Sequence, residues 1–334
     1  MIPNAWVIIL ESNEVPKKTP VSVLRLGRRF ALWRDGSGRL HSIDDVCCHR
    51  GASIGAGKLA GDHVACPFHG FEYDGTGKVR NIPANGATTP VPESYRVRSF
   101  PVREKFGFVF VWTGEIPPEG ESALSEPPFF DELIEKDFQY KGSTLRDPWK
   151  THFTRCIENQ LDTVHVPFVH ASTIGRGHAT VVNGPMVVRE GLKLTFYVDN
   201  QPERGQRAKS AAEMGDPSGL FHLEFLYPNL WMNDISDKIR IIAAFVPVDE
   251  ENTMVYVRFC QAITRLPGLR HLFAVIGRIS DRTILHQDRT VVEPERPKET
   301  RLRMGEHLIP GDAPIIAYRK MRDEYSPEGV PAPR

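Results

Sequence analysis

The sequence predicts an α+β protein of two domains, a small antiparallel β domain followed by a larger domain of antiparallel strands and helices. Three observations predict this organisation. The chain has 334 residues, the length of roughly two ordinary domains. Short β-type runs separated by glycine-rich turns fill residues 21–111, and beyond about residue 140 strand runs alternate with helical stretches. We therefore expect the domains to cover residues 1–115 and 116–334.

The N-terminal β domain is predicted from apolar runs that end in Asp-Gly turns, the pattern typical of hairpins. Pro117, Pro118, Pro127 and Pro128 then mark a connecting stretch that ends the domain. The strand runs are residues 30–33, 40–43, 71–73 and 106–112, and the turns are residues 35–38 and 74–77.

The larger domain is predicted from a change in periodicity. A long helix is expected over residues 269–292, where apolar side chains recur at three- and four-residue spacing, at Leu272, Val275, Ile276 and Ile279. Shorter helices are expected at 149–164 and 315–325, and strands at 186–198, 220–227, 239–246 and 254–262.

Composition excludes several classes of partner. Lysine plus arginine (42) equals aspartate plus glutamate (42), so no overall charge attracts nucleic acid or an anionic membrane. The longest apolar runs, such as residues 241–246, fall far short of the ~20 residues that cross a bilayer, and the N-terminus does not resemble a signal peptide. Five cysteines suit reduced thiols and metal ligands better than disulfides. We expect a cytoplasmic protein.

Two boxes combine cysteine with histidine. The first runs Cys47-Cys48-His49-Arg50-Gly51 and the second Cys66-Pro67-Phe68-His69-Gly70. Each supplies one thiolate and one imidazole, the supply needed by a [2Fe–2S] cluster with two cysteines on one iron and two histidines on the other. A Cys₂His₂ zinc site is the alternative, although such sites usually pair cysteine with cysteine. Cys48 is interpreted as a bystander, and its position beside Cys47 leaves the ligand choice open.

A second candidate site lies at residues 158–170. Asn159, Asp162 and His165 are three residues apart, which predicts one helix face, and Pro167 would interrupt that helix and bring His170 round. Two histidines and a distant carboxylate can form the facial triad that binds ferrous iron. Alone, two histidines five residues apart are a weak signal, and core or surface histidines remain an alternative.

Taken together, in this order, the two motifs resemble the α subunits of Rieske non-haem iron oxygenases, and by length the α-only branch of vanillate- and dicamba-type demethylases. The resemblance implies a Rieske domain with a [2Fe–2S] cluster on its four box ligands, followed by a helix-grip catalytic domain holding mononuclear Fe(II). The cluster ligands implied are Cys47, His49, Cys66 and His69.

The resemblance also implies a mononuclear iron held by His165, His170 and an aspartate on a late helix. Asp281 and Asp288 lie seven residues apart on one helix face, so periodicity cannot choose between them. The segment 288–293 resembles the ligand segment of the family, which favours Asp288. The neighbouring His286 is expected to support the site or to lie on the surface.

Asp162 and Asn159 receive separate roles from the same resemblance. Asp162 would link the cluster ligand His69 of one subunit to the iron ligand His165 of the next, which implies a closed ring, most simply a homotrimer. A buried carboxylate suits this role because it can accept a hydrogen bond from each imidazole. Asn159 would lie near the iron without binding it.

The function implied is that of a terminal oxygenase component. It would use O₂ and electrons from a reductase or ferredoxin to hydroxylate or oxidatively demethylate a small organic substrate, aromatic or alkaloid. A ring-dihydroxylating dioxygenase, an electron carrier with a docking domain and a binding protein remain as alternatives. A set of apolar strand residues could line a substrate pocket, with core packing the favoured interpretation: Phe221, Leu223, Phe225, Tyr227, Trp231 and Met232.

Overall fold

The computed structural model describes residues 4–86, 88–217 and 219–325, and its described residues form two compact units that meet in sequence at Pro127 and Pro128. The sequence placed this boundary at residue 115. The difference arises because the proline-rich stretch packs on the first unit, where the indole Nε1 of Trp6 donates to the carbonyl of Ser125 at 2.7 Å.

The first unit consists of three antiparallel sheets. Their strand orders are β1-β10-β9, β2-β3-β4 and β5-β6-β7-β8. The strands are β1 (Trp6–Glu11), β2 (Val21–Arg25), β3 (Arg28–Arg34), β4 (Leu40–Asp44), β5 (Lys58–Ala60), β6 (His63–Ala65), β7 (Glu72–Tyr73), β8 (Val79–Asn81), β9 (Val102–Lys105) and β10 (Phe108–Trp112).

The core of this unit includes the two cysteines of the boxes. Cys47 and Cys66 belong to one buried apolar cluster with Trp33, Ile43 and Tyr73. The first box follows β4 and the second connects β6 to β7. Because both turns begin in a close-packed core, their positions are fixed by the packing of the whole unit.

The second unit is an antiparallel sheet with helices. Its helices are α1 (Glu132–Glu135), α2 (Phe153–Leu161), α3 (Val166–Val169), α4 (Pro267–Val292) and α5 (Ala313–Tyr325). Its strands are β11 (Leu145–Trp149), β12 (Val181–Glu190), β13 (Lys193–Gln201), β14 (Phe221–Leu226), β15 (Leu230–Ser236), β16 (Ile239–Pro247) and β17 (Thr253–Gln261). The segment expected to be one strand at 186–198 is therefore a hairpin of β12 and β13.

The seven strands form one sheet in the order β11-β17-β16-β15-β14-β13-β12. Helix α4 packs on one face of this sheet. A Cβ at Gly277 would lie 2.4 Å from the ring of Phe259 on β17, so only glycine lets the helix approach this closely. This is the helix-grip arrangement that the sequence resemblance implied.

Helix α4 has the predicted length but not the predicted buried face. Leu272, Val275, Ile276 and Ile279 are exposed. The positions that meet the rest of the unit are mostly small or polar: Ala274, Gly277, Asp281, Leu285, Asp288 and Val292. The spacing of the apolar residues predicted where the helix lies. The close contact between Gly277 and Phe259 determines which face of the helix is buried.

Within the described ranges, none of the helices combines the length and the apolar character needed to span a bilayer.

Candidate metal centres

The two Cys/His boxes form matching turns in the first unit. The N–H of Gly51 donates to the carbonyl of Cys47 at 2.8 Å, and the N–H of Gly70 donates to the carbonyl of Cys66 at 3.0 Å. The two glycines have φ angles of +76° and +74°. Side chains with a Cβ rarely adopt this conformation, which explains why a glycine closes each box.

The boxes bring thiol to thiol and imidazole to imidazole. Cys47 and Cys66 are both buried, and burial raises the pKa of the Cys66 thiol, with the neighbouring Cys47 thiol adding to the rise. The rings of His49 and His69 meet edge to face, with centroids 4.5 Å apart. A pair of thiols beside a pair of imidazoles fits a dinuclear cluster with two sulfur and two nitrogen ligands.

Cys48 differs from Cys47 in exposure and contacts. Cys48 is exposed, whereas Cys47 is buried beside Cys66. The hydroxyl of Tyr73 lies within hydrogen-bond distance of both thiols, 3.1 Å from Cys47 Sγ and 3.2 Å from Cys48 Sγ, so this contact does not separate them. Of the two adjacent thiols, Cys47 is therefore the one that pairs with Cys66.

In the second unit, His165, His170 and Asp288 converge on one point. One potential ligand atom of each residue lies within 4.8 Å of those of the other two. Among the described residues, these three form the group of His, Cys, Asp or Glu side chains that could share a metal ion. The Nε2 atoms of His165 and His170 lie 3.5 and 2.9 Å from Asp288 Oδ1. Neither approach has hydrogen-bond geometry, so within the described chain Asp288 Oδ1 is a buried oxygen without a hydrogen-bond partner.

The charges in this group reinforce each other. Burial acts to lower the pKa of His165, but the carboxylates of Asp162 and Asp288 outweigh it and raise the pKa to about 9. Burial acts to raise the pKa of Asp288, and His165 and His170 outweigh it and lower the pKa to about 2. Two imidazoles and one carboxylate aimed at a common point are the donor set of a facial triad, so these residues fit a mononuclear iron.

The chain around the histidines is not the single helix face that the sequence predicted. Helix α2 ends at Leu161, and Asp162 is extended, with φ −81° and ψ 121°. Pro167 does not interrupt a helix; it stands in the first turn of α3, where a missing N–H costs nothing. His165 and His170 flank this short helix as its two caps.

Gln287 orients one of the histidines, a role that the sequence analysis missed. Its Oε1 lies 2.9 Å from His170 Nδ1, and its Nε2 donates to Ser172 Oγ at 3.2 Å. Because the amide oxygen can only accept, Nδ1 of His170 carries the proton and Nε2 keeps its lone pair for a metal. The only sequence signal is that Gln287 stands next to Asp288. Gln160, whose Nε2 donates to Asp288 Oδ2 at 3.4 Å, was missed in the same way.

Asp162 lies beside the second nitrogen of His165. Its Oδ1 accepts the backbone N–H groups of Val164 and His165 at 2.6 and 3.3 Å. Its Oδ2 lies 3.6 Å from His165 Nδ1, too far for a hydrogen bond. Among the residues that the structure describes, His165 Nδ1 is buried without a hydrogen-bond partner.

The remaining candidates are not members of the triad. Asp281 is buried with its Oδ2 unpaired in the described chain, and burial raises its pKa to about 7. His286 is exposed, with its Nδ1 3.4 Å from Arg289 Nη2. The amide nitrogen of Asn159 is buried and, within the same described ranges, has no hydrogen-bond partner. Of the two aspartates, Asp288 is the one that meets both histidines.

A buried ion pair holds α2 against α5. The guanidinium of Arg319 donates from Nε to Glu158 Oε1 at 2.8 Å and from Nη2 to Glu158 Oε2 at 2.7 Å. Thr300 Oγ1 donates to the same carboxylate at 2.5 Å. Glu158 precedes Asn159 on α2, so this network fixes the segment that leads into the histidines.

A cavity of about 380 Å³ adjoins α3. Two of the apolar residues proposed as pocket or core, Phe221 and Leu223, line it. Phe225 instead packs edge-on against Tyr318, with ring centroids 5.2 Å apart. Among the described residues, its lining also includes Asp162, Thr163, Val166 and Pro167.

Comparisons with known families assign both units. Residues 5–101 match the Rieske [2Fe-2S] domain, and residues 149–326 match the vanillate O-demethylase oxygenase C-terminal domain. The chain is 34% identical over 175 residues to chlorophyllide a oxygenase of Chlamydomonas reinhardtii, covering 52% of this chain and 25% of that protein. It is 27% identical over 258 residues to the oxygenase subunit of 3-chlorobenzoate-3,4-dioxygenase of Comamonas testosteroni, covering 75% and 57%. The matched regions thus span less than two thirds of these relatives.

The fold agrees with a solved structure. The NdmA QL mutant of Pseudomonas putida CBB5, determined with caffeine, superposes with a TM-score of 0.73 at 21% identity, covering 96% of this chain and 90% of that one. The matches to the two family models, the shared fold and the two metal-binding arrangements all indicate the same family. The chain therefore belongs to the α subunits of the Rieske non-haem iron oxygenases, with a Rieske [2Fe–2S] domain and a catalytic domain of the vanillate O-demethylase type that binds mononuclear iron.

Proposed function

We propose that this chain is a terminal oxygenase component that uses O₂ and electrons from a reductase or ferredoxin to hydroxylate or oxidatively demethylate a small organic substrate. The observation that carries the proposal is the convergence of His165, His170 and Asp288 within 4.8 Å in the catalytic unit. An electron carrier or a binding protein would not need two imidazoles and a buried carboxylate that leave positions open for O₂ and substrate.

The proposed ligands divide between the two units. Cys47, His49, Cys66 and His69 would hold the [2Fe–2S] cluster, and His165 Nε2, His170 Nε2 and Asp288 Oδ1 would hold the mononuclear iron. When bound, the cluster supplies single electrons and the ferrous iron supplies a site for O₂ activation. Gln287 keeps the proton of His170 on Nδ1, and Gln160 steadies Asp288 through Oδ2.

Asp162 is proposed as the bridge between subunits of a homotrimer. Two backbone N–H groups hold its Oδ1, which leaves Oδ2 beside His165 Nδ1 and able to accept a further hydrogen bond. In the proposed ring that donor is the partner subunit's His69. A carboxylate shared by two imidazoles fixes both ring orientations and gives the electron a short connection between them.

The Rieske unit also offers a surface for the neighbouring subunit of the proposed ring. Val46 and Phe68 are exposed apolar side chains beside the cluster ligands, and the guanidinium of Arg50 lies over the Phe68 ring at 5.5 Å. Exposed apolar groups flanked by charge are typical of protein interfaces. We further propose a cytoplasmic location, supported by five cysteines that are all described and all free thiols.

Iron analysis and product analysis test the proposal together. Purified protein is expected to bind three irons per chain, two in the cluster and one at the triad. His170→Ala should lose the third iron and all O₂-dependent product. Two irons in the unaltered protein would contradict the oxygenase assignment. Product structure then separates demethylation from ring dihydroxylation; the Comamonas relative is named as a subunit of a 3-chlorobenzoate-3,4-dioxygenase.

Replacement of Asp162 by asparagine tests the bridge. Asp162→Asn should retain three irons but lower coupled O₂ turnover by about 10- to 100-fold, because an amide cannot accept equally from two imidazoles. His286, which is exposed and stands two residues before Asp288, provides the matched control, and His286→Asn should leave turnover unchanged. Normal turnover in Asp162→Asn would exclude the bridging role.

A further inference from the structure

The two cluster histidines have different aromatic neighbours. The ring of His69 lies against Phe68, with centroids 3.9 Å apart, and Phe68 is one of the exposed residues at the proposed subunit contact. The ring of His49 lies against Phe71 as well, with centroids 4.7 Å apart and an angle of 1° between the ring planes. Phe71 is buried, so this second contact leads away from the exposed side chains that the neighbouring subunit would cover.

Phe71 connects His49 to a tyrosine on the surface. Its ring is nearly parallel to the ring of Tyr95, with an interplanar angle of 12° and centroids 6.4 Å apart. Phe71 is 6% exposed and belongs to the same buried cluster as Cys47 and Cys66, whereas Tyr95 is 41% exposed. Within the described chain, His49 and Tyr95 make no ring contact with each other. The connection between them therefore runs through Phe71.

The packing of the first unit holds these rings in place. The N–H of Cys66 donates to the carbonyl of Phe71, and the N–H of Val79 donates to the carbonyl of Tyr95, both at 2.9 Å. Val97, two residues beyond Tyr95, packs against the buried cluster that contains Phe71. Because Phe71 stands in a close-packed core, its contacts with both neighbouring rings are fixed.

The surface beside Tyr95 carries an excess of positive charge. Residues 92–96 are all exposed, and Arg96 lies opposite Lys78 in an isolated antiparallel bridge. Lys78 is paired with Glu93, whereas the guanidinium of Arg96 forms no hydrogen bond or ion pair within the described ranges. Two cations thus stand beside one carboxylate, which favours a partner with an acidic surface.

We infer that the electron donor docks on Tyr95 and that its electron enters the cluster through Phe71 and His49, so that entry and exit use different imidazoles. The inference rests on the proposed function, which supplies the donor, and it identifies that donor as an acidic one-electron carrier. One electron leaves the reduced donor, which is oxidised, and reduces the oxidised cluster; no bond forms or breaks. The two rings are not oxidised themselves, because they only fill the space between donor and cluster with packed atoms.

Reduction of the cluster by a protein donor tests the docking site. Oxidised holoenzyme is mixed with reduced plant-type [2Fe–2S] ferredoxin, which has a lower potential than Rieske clusters, and the reduced Rieske cluster is measured by EPR after rapid freezing. Tyr95→Ala should lower the second-order rate constant by at least about fivefold, the loss expected for a central aromatic contact. Tyr95→Phe, which keeps the ring, should restore most of the rate.

The matched control is Ile116→Ala, which removes another apolar side chain of the first unit with the same exposure of 41% and should not change the rate. A rate in Tyr95→Ala equal to that of this control would overturn the inference. Failure of ferredoxin to reduce the unaltered protein, when sodium dithionite does reduce it, would overturn it as well.

Phe71→Leu separates passage of the electron from docking. It leaves a gap between Tyr95 and His49, so the limiting rate should fall while the half-saturating ferredoxin concentration stays the same. Phe71→Tyr, which keeps the ring, should restore most of the limiting rate. Dithionite needs no docking site and should reduce Tyr95→Ala as fast as the unaltered protein, at an unchanged cluster potential. A slower reaction with dithionite or a shifted potential would indicate a structural effect on the cluster and overturn the inference.

Salt dependence tests the charge of the donor. The rate with ferredoxin should fall as the ionic strength rises, because salt screens the attraction between Arg96 and an acidic partner. Arg96→Gln should make the rate less dependent on salt. A rate that does not fall with salt would overturn the acidic docking surface.

The entry site and the proposed function fail differently. Dithionite-reduced protein bypasses the donor, so product formed by it in O₂ supports the oxygenase even if Tyr95→Ala accepts electrons from ferredoxin normally and the entry site is overturned. Reduction that depends on Tyr95, without O₂-dependent product from any methoxy-arene tested, would support the entry site and count against the oxygenase. Dissociation of the oligomer in Tyr95→Ala, measured by light scattering, would place Tyr95 at the subunit contact and overturn the inference.

Discussion

Replacing Arg319 with methionine is expected to loosen the helix that leads into the metal-binding segment. Arg319 and Glu158 are 3% and 4% exposed and share two hydrogen bonds of 2.8 and 2.7 Å. Each hydrogen bond to a charged group contributes about 1.5–3 kcal/mol, and removing one partner of a buried ion pair costs about 3–5 kcal/mol. For a unit of this size 1 kcal/mol shifts the melting temperature by about 2–4 °C, so the catalytic unit should melt about 6–20 °C lower.

Thermal unfolding and iron content measure this effect together. We expect Arg319→Met to lose mononuclear iron on dialysis, because α2 no longer holds its end in place. The matched control is Arg189→Met, which breaks an ion pair of 2.7 Å to Glu324 on the same helix α5. Both of its members are substantially exposed, so its loss should cost less than about 1 kcal/mol.

A double variant separates the buried charge from the lost contact. In Arg319→Met the Glu158 carboxylate keeps Thr300 and an approach of 3.9 Å to Arg155 but loses its two closest charged donors. Glu158→Leu combined with Arg319→Met removes this buried carboxylate and should melt above Arg319→Met alone. If Arg319→Met melts no lower than the Arg189→Met control, the buried pair does not anchor α2. A double variant that melts below the single one would show that the stranded charge is not the cause.

Four further substitutions probe the site and its surroundings. Gln287→Leu removes the acceptor that orients His170 and should weaken iron retention by about 10- to 100-fold in a chelator titration; unchanged retention would rule out this role. Asp281→Asn should keep the triad iron and, at pH 8, be at least as stable as the unaltered protein, because the pKa of Asp281 is raised to about 7 and its unpaired carboxylate is costly to ionise above that pH. Asp288→Asn should lose the iron, and the reverse pattern would make Asp281 the ligand. Burial lowers the pKa of His152 to about 4, so its contribution to stability is present above pH 6.5 and is lost as the pH falls towards 4. Over that window, the free energy of unfolding measured in urea should change with pH by up to about 3 kcal/mol less in His152→Gln than in the unaltered protein. An identical pH dependence would refute the lowered pKa of His152.

The boxes of the first unit could be read from the sequence because their geometry is local. Cysteine, histidine and glycine stand within five residues of each other, and a single turn closed by Gly51 or Gly70 sets their arrangement. The sequence left open whether Cys47 or Cys48 is the ligand. Only packing distinguishes them, because Cys47 enters the core beside Cys66 while Cys48 faces outward.

In the catalytic unit, by contrast, the arrangement of the site depends on contacts between segments that are distant in the sequence. The sequence alone determined that His165 and His170 belong to a short segment rich in metal-binding residue types, that a long helix follows, and that this helix carries an aspartate suited to the same site. It could not rank Asp281 against Asp288 by periodicity, since both lie on the buried face. The close approach of Gly277 to Phe259 fixes the position of α4, and this position brings Asp288 rather than Asp281 to the histidines.

Only the tertiary structure revealed the supporting contacts. Gln287 reaches His170 across 117 residues, and Arg319 reaches Glu158 across 161. The spacing of residues in the sequence does not indicate such pairs, because each partner alone is an ordinary helix residue. The sequence thus determined which chemical groups this protein brings to its metal centres. The packing of the sheet and its helices decided which of them meet, because contacts between distant segments form only when the whole unit is folded.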